Sequence, residues 1–190
     1  MQVRKLTIVG AFEFTAGSSD TALLLTLPPG TYTAQVAGQG ETTGVALTEV
    51  YEVASSNAQL SNLSNRCFVG TGSQVAIAGL AIAGSGSQPV LIRAVGPTLA
   101  SYGVTGVLAV PVLTLFDSKG NPIATNTGWG TNANAAQVQA AFGATGAFAL
   151  PAGSADSALL LTLAPGTYSA QVSGSGGSTG NALIEVYPLP

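Results

Sequence analysis

The sequence predicts an all-β protein: an antiparallel β-sandwich of jelly-roll or immunoglobulin-like type with one short helix, accompanied by a partial second repeat of the same sandwich. Three observations carry that reading. Residues 11–51 recur at residues 147–187 without a gap, with roughly two-thirds of the positions identical, far above chance self-similarity. Apolar and polar residues alternate with a period of two inside the recurring segment, the pattern of strands with one buried face. Gly, Pro, Asn and Asp punctuate the chain at short intervals, as the turns of a sandwich require.

The two copies lie 136 residues apart. Solenoid units repeat every 20 to 50 residues or so, and this period is that of a whole domain. Residues 1–54 therefore read as the C-terminal half of one sandwich repeat and residues 55–190 as a complete one.

In chain order, Leu6-Thr7-Ile8-Val9 has strand character. Residues 21–37 then form two strands around Pro29-Gly30, and residues 46–51 a third. The non-repeated middle supplies strands at residues 75–83, 90–95 and 112–116 and a short one at 122–125, all rich in Val, Ile, Leu and Ala. Asp117-Ser118-Lys119-Gly120-Asn121 is a turn, with Gly120 suited to a left-handed backbone. Residues 135–142 are helical in character, with Asn134 as N-cap and Gly143 as terminator, and cross between the halves of the sandwich.

In the second copy Leu159, Leu161 and Leu163 make one inward row, and Tyr168, Ala170 and Val172 another. Pro165-Gly166 between them suits a type II turn, so the two strands are expected to form a hairpin. A Gly/Ser loop over residues 174–180 leads to a last strand at 182–187. Each copy should thus end in a three-stranded unit.

Only 7% of residues are charged, against roughly 25% in ordinary soluble domains. Such a neutral surface is inclined to associate. Five basic residues against eight acidic ones make no phosphate-tracking stripe, which speaks against nucleic acid as a partner. The most apolar run, residues 75–83, is broken by Gly79 and is too short for the roughly 20 residues of a spanning helix, so the chain is not expected to span a membrane. Residues 1–10 lack the uninterrupted apolar run of a secretory signal, so the expectation is a removed signal or an excerpt of a longer protein. A single cysteine, Cys67, rules out an intrachain disulfide and reads as a small core residue.

With no histidine and one cysteine, Ser-His-Asp triads, Cys-His dyads and the usual zinc sites are excluded by inventory. Four of the eight acidic residues fall at equivalent repeat positions, Asp20 with Asp156 and Glu49 with Glu185, which favours structural over acid–base roles. Gly70-Thr71-Gly72 and Gly84-Ser85-Gly86 lack the Lys-Ser/Thr ending of a phosphate loop. Asp117 with Asn121 has too few carboxylates for calcium. No catalytic, cofactor-binding or metal-ligating residue is nominated. Arg93 interrupts an apolar strand and needs a buried acceptor, for which Glu185 is the candidate. Trp129, among Asn, Thr and Gly, is either a ligand-stacking aromatic or a plug beneath the domain end. Asn62-Leu63-Ser64 matches an N-glycosylation acceptor.

Residues 113–124, Leu-Thr-Leu-Phe-Asp-Ser-Lys-Gly-Asn-Pro-Ile-Ala, with Pro-Gly-Thr-Tyr-Ser-Ala-Gln-Val at residues 165–172, resemble the bacterial pre-peptidase C-terminal domain family of small secreted β-sandwiches. Residues 59–189 more closely resemble tandem repeats of large surface proteins of environmental bacteria, on Leu63-Ser64-Asn65-Arg66, Val69-Gly70-Thr71-Gly72, Val90-Leu91-Ile92-Arg93-Ala94-Val95-Gly96-Pro97 and Ala182-Leu183-Ile184-Glu185-Val186-Tyr187. The resemblance implies secretion and a stalk, adhesive or fibre role without catalytic residues. The expected function is accordingly an extracellular or cell-surface structural protein, a subunit of a filament or array that associates with copies of itself through exposed β edges. The alternatives are an adhesion module binding surface polysaccharide and an accessory domain of a secreted enzyme.

Overall fold

The computed structural model describes residues 11–52 and 59–190, which divide between two compact units, Met1–Leu60 and Ser61–Pro190. The strand expected at residues 6–9 and the boundary expected between residues 54 and 55 lie outside the described residues.

Ser61–Pro190 is a β-sandwich. Its elements are β1 (Leu63–Val69), β2 (Ala76–Ile82), β3 (Gln88–Val95), β4 (Pro111–Phe116), β5 (Pro122–Asn126), α1 (Ala135–Thr145), β6 (Ser157–Leu163), β7 (Gly166–Gly174) and β8 (Gly180–Pro188). Two four-stranded sheets run in the orders β1-β8-β3-β6 and β2-β7-β4-β5, with every ladder antiparallel. The pairs β1·β8, β2·β7, β3·β6 and β4·β5 follow one rule: the outgoing half of the chain is matched, strand by strand, by the returning half. That is the jelly roll, and it decides between the two sandwich types expected.

This topology corrects the hairpin. β6 and β7 adjoin in sequence but lie in opposite sheets, and neither β6, β7 nor β8 pairs with another of the three. Alternation shows that a strand has one buried face and is silent about which strand lies beside it. Pro165-Gly166 is a corner that carries the chain between sheets. Gly166 has φ 156°, far from the roughly +80° of a type II turn, and the Tyr168 hydroxyl ties the corner by donating to the Ala164 carbonyl at 3.0 Å.

Between the sheets lies one core, containing Val90, Ile92 and Ala94 of β3, Leu113 and Leu115 of β4, Ala170 and Val172 of β7, and Ile184 of β8. A second core forms on the other face of the first sheet, where Leu91 and Val95 of β3, Ala158 and Tyr187 meet Val138, Ala141 and Phe142 of α1. β3 is buried on both faces, which explains its unbroken apolar run. Cys67 is half-buried against the first core, and its burial pushes the thiol pKa up.

α1 extends three residues past the expected Phe142 end, through Gly143, and stops at Gly146 with φ 71°. Asn134 makes no side-chain cap; its amide nitrogen donates to the Leu160 carbonyl at 3.3 Å, fastening the helix start to β6. The helix lies in the connection from β5, an edge of the second sheet, to β6, an edge of the first. β1 and a 3-10 turn at Pro97–Tyr102 were not expected. In β1 only Val69 is buried and Cys67 half-buried, so its sequence shows no inward row.

Met1–Leu60 is different. No residue within 11–52 belongs to a strand, and its regular element is a 3-10 turn at Gln39–Glu41. The strands expected at residues 21–37 and 46–51 are therefore not formed. The jelly roll supplies the reason: the equivalent strands of the second copy pair only with the outgoing half.

Candidate functional site

Two carboxylates fasten the returning strands to the outgoing half. Arg93 and Glu185 face each other in the β3·β8 register. Both are buried, Arg93 completely at 0% exposure. The Arg93 Nε donates to Glu185 Oε2 at 2.8 Å, and its Nη2 donates to the same oxygen. Nη1 donates to the Phe148 carbonyl. The guanidinium lies 4.3 Å from the Phe148 ring centroid and 5.1 Å from that of Phe142, within cation–π range. The Tyr187 hydroxyl donates to Glu185 Oε1 at 2.8 Å. Burial, reinforced by the neighbouring Glu185 charge, pushes the Tyr187 hydroxyl pKa up to about 12.

Asp156 precedes β6 and is fully buried. Its Oδ1 accepts from the Gly96 amide at 2.7 Å and the Thr98 amide at 3.4 Å. Oδ2 accepts from the Thr98 hydroxyl. The carboxylate thus caps the 3-10 turn that follows β3, satisfying amides that would otherwise be buried without partners.

The structure brings Arg93 and Glu185 together. Trp129 is 5% exposed: its ring packs edge-on against Phe142 with centroids 5.5 Å apart, and its Nε1 donates to the Pro151 carbonyl at 3.1 Å. It offers no free face for stacking a ligand. Asp117 closes its own turn, accepting from the amides of Lys119 and Asn121 at 2.9 Å each and from Asn121 Nδ2 at 3.0 Å. Those hydrogen bonds, the Asn121 side chain first, hold its pKa below the usual carboxylate range. Sequence reasoning read Asp156 as structural from its recurrence as Asp20, an acidic residue just ahead of a leucine row in both copies, but did not find its partners Gly96 and Thr98.

The first copy reproduces the local shape of the second without its partners. The Tyr32 hydroxyl donates to the Pro28 carbonyl at 2.8 Å, as Tyr168 does to Ala164. The Tyr51 hydroxyl donates to Glu49 Oε1 at 3.0 Å, as Tyr187 does to Glu185. Gln39–Glu41 matches the 3-10 turn at Ser175–Gly177, with φ 63° at Gly40 and 62° at Gly176. At both Gly38 and Gly174 a Cβ would collide with the carbonyl four residues on, of Thr42 and Ser178. Burial is where the copies part: Leu23 is 83% exposed and Leu159 5%, Val36 62% and Val172 0%. Asp20 and Glu49 are exposed, whereas Asp156 and Glu185 are buried.

These features define a jelly-roll domain preceded by a second copy of its returning sequence, which forms no strand of its own. No protein-family model matches the chain, and no curated protein matches it in sequence.

Proposed function

We propose that this chain is a structural protein of the cell exterior, a subunit of a filament or surface array built from β-sandwich repeats that associate edge to edge. The observation that carries the reading is the state of the second sheet's edges. β2 and β5 are its outer strands; neither contains a charged residue, and they expose Ile77 at 59% and Ile123 at 47%. Monomeric β proteins guard such edges with charge, bulges or covering loops. β5 carries part of that guard, since it begins with Pro122 and shifts register against β4; β2 has no charge, Pro or register shift, and an edge of that kind with an apolar residue on it accepts another strand, while the low overall charge adds little repulsion between copies.

Support for a non-catalytic role comes from the placement of the carboxylates, since Asp156, Glu185 and Asp117 are each occupied in holding backbone or a guanidinium. Among the described residues no helix is long and apolar enough to cross a membrane, and the resemblance to surface repeats favours secretion. Electron microscopy with sedimentation velocity tests the assembly. Ordered fibres or sheets that disperse in the Ile77→Lys and Ile123→Lys variants agree with it; a chain that stays monomeric as concentration rises contradicts it.

A further inference from the structure

We infer that residues 11–52 are a closing segment made to complete a second jelly roll, and that the partner they fit is an acceptor half of this same repeat type, with the strand pattern of β1–β5. The inference rests on the reading of the chain as a repeat-built structural protein and names the partner of its first unit.

The complete sandwich shows what a closing segment needs. β8 lies between β1 and β3, β7 lies between β2 and β4, and β6 lies beside β3. Every one of these partners belongs to the outgoing half. The segment therefore cannot ladder with itself, and in the first copy it does not. Its apolar rows stand ready: Leu23, Leu25, Leu27, Val36 and Leu47 are all exposed. Taking each of these side chains out of water is favourable, so a fitting acceptor gains several such contributions at once.

Two carboxylates give the match its chemistry. Glu49 stands where Glu185 stands, already holding the Tyr51 hydroxyl, and requires a guanidinium at the position of Arg93. Asp20 stands where Asp156 stands and requires a Gly-Pro-Thr turn to cap. An acceptor with both features is selected over one lacking them, because unpaired carboxylates resist burial.

Copies of this chain cannot satisfy every segment among themselves. The described residues contain one acceptor half and two closing segments. Any exchange among copies leaves one closing segment per molecule uncovered, so full coverage needs an additional acceptor half.

The test is a longer chain in which residues 59–146 are placed directly ahead of Ala11, leaving residues 11–190 unchanged, followed by amide hydrogen exchange. The expected result is protection of residues 21–27, 31–37 and 45–51 by at least a hundredfold over the original chain. Glu49→Gln should cut that protection at least tenfold in the longer chain and leave the unfolding of the original chain unchanged. Protection of β6–β8 in the same molecules reports that they are folded. Protected β6–β8 with rapid exchange throughout residues 11–52 would overturn the inference, as would protection of residues 11–52 in the original chain on raising its concentration. Sedimentation of the original chain reports separately on edge-to-edge assembly: dispersed molecules whose residues 11–52 become protected in the longer chain sink the assembly and keep the partner, and fibres without that protection do the reverse.

Discussion

Replacing Arg93 by methionine removes the guanidinium buried beside Phe142 of α1 and leaves Glu185 in place. Glu185 is 4% exposed and would keep a single donor, the Tyr187 hydroxyl. The change deletes two hydrogen bonds to Glu185, one to the Phe148 carbonyl and the stacking on the Phe148 ring. Breaking a buried pair by removing one partner costs about 3–5 kcal/mol, most of it from the charge left unpaired. A domain has a total of about 5–15 kcal/mol, so the variant should sit near the edge of folding. Glu185→Met should cost as much or more, because Arg93 cannot discharge itself. The double variant is decisive: with both charges gone and methionines filling the space, most of the loss should return, leaving about 1 kcal/mol or less. Urea unfolding followed by Trp129 fluorescence measures all three, since Trp129 lies in the same core as Phe142 and Tyr187. Losses in the single variants below about 1 kcal/mol, or losses that simply add in the double variant, would refute the assignment of this pair as a coupled fastening.

Other consequences follow from neighbouring groups. Asp156→Ala strands the Gly96 amide and the Thr98 hydroxyl and should cost about 2–3 kcal/mol, whereas Asp156→Asn, which keeps an acceptor, should cost less; equal losses by urea titration would contradict the capping role. Tyr187 has a pKa raised to about 12 in the folded chain against roughly 10 unfolded. Its contribution is complete below pH ~10 and is lost as pH rises toward about 12, so Tyr187→Phe should show a shallower fall in Tm across that window, and an unchanged slope would count against it. Trp129→Ala should cost about 3–5 kcal/mol, read by near-ultraviolet dichroism on heating; a stable variant would show that the indole is not a core plug. Gly174→Ala drives a methyl into the Ser178 carbonyl and should destabilise the sandwich by about 1–3 kcal/mol in a urea titration, whereas open Gly86→Ala should change it little.

The β-sandwich and most of its strands were legible because burial leaves a periodic trace. Tyr168, Ala170 and Val172 alternate with Ser169, Gln171 and Ser173, and an arginine between Val90-Leu91-Ile92 and Ala94-Val95 implies a partner wherever that strand lies. Pairing left no such trace. Nothing in Pro165-Gly166 distinguishes a hairpin turn from a corner between sheets, because the difference is made by the strands of the outgoing half, which lie 60 or more residues away along the chain at most of their paired positions. β1 was invisible for a related reason: an edge strand with one buried residue has no inward row. Asp156 was visible only as a repeated acid, since its role depends on a turn that folding brings to it from Gly96 and Thr98.

The account stands or falls on the claim that a returning segment forms strands only against an outgoing half. Site-resolved amide exchange on the unaltered 190-residue chain tests it directly, because each molecule reports on both copies of the repeated segment in one spectrum. The account predicts that amides of β6, β7 and β8 exchange only through unfolding of the sandwich, with rates at least a thousandfold below those of their counterparts at residues 21–27, 30–38 and 44–52. Equal protection of the two copies in a dilute, monomeric sample would contradict it.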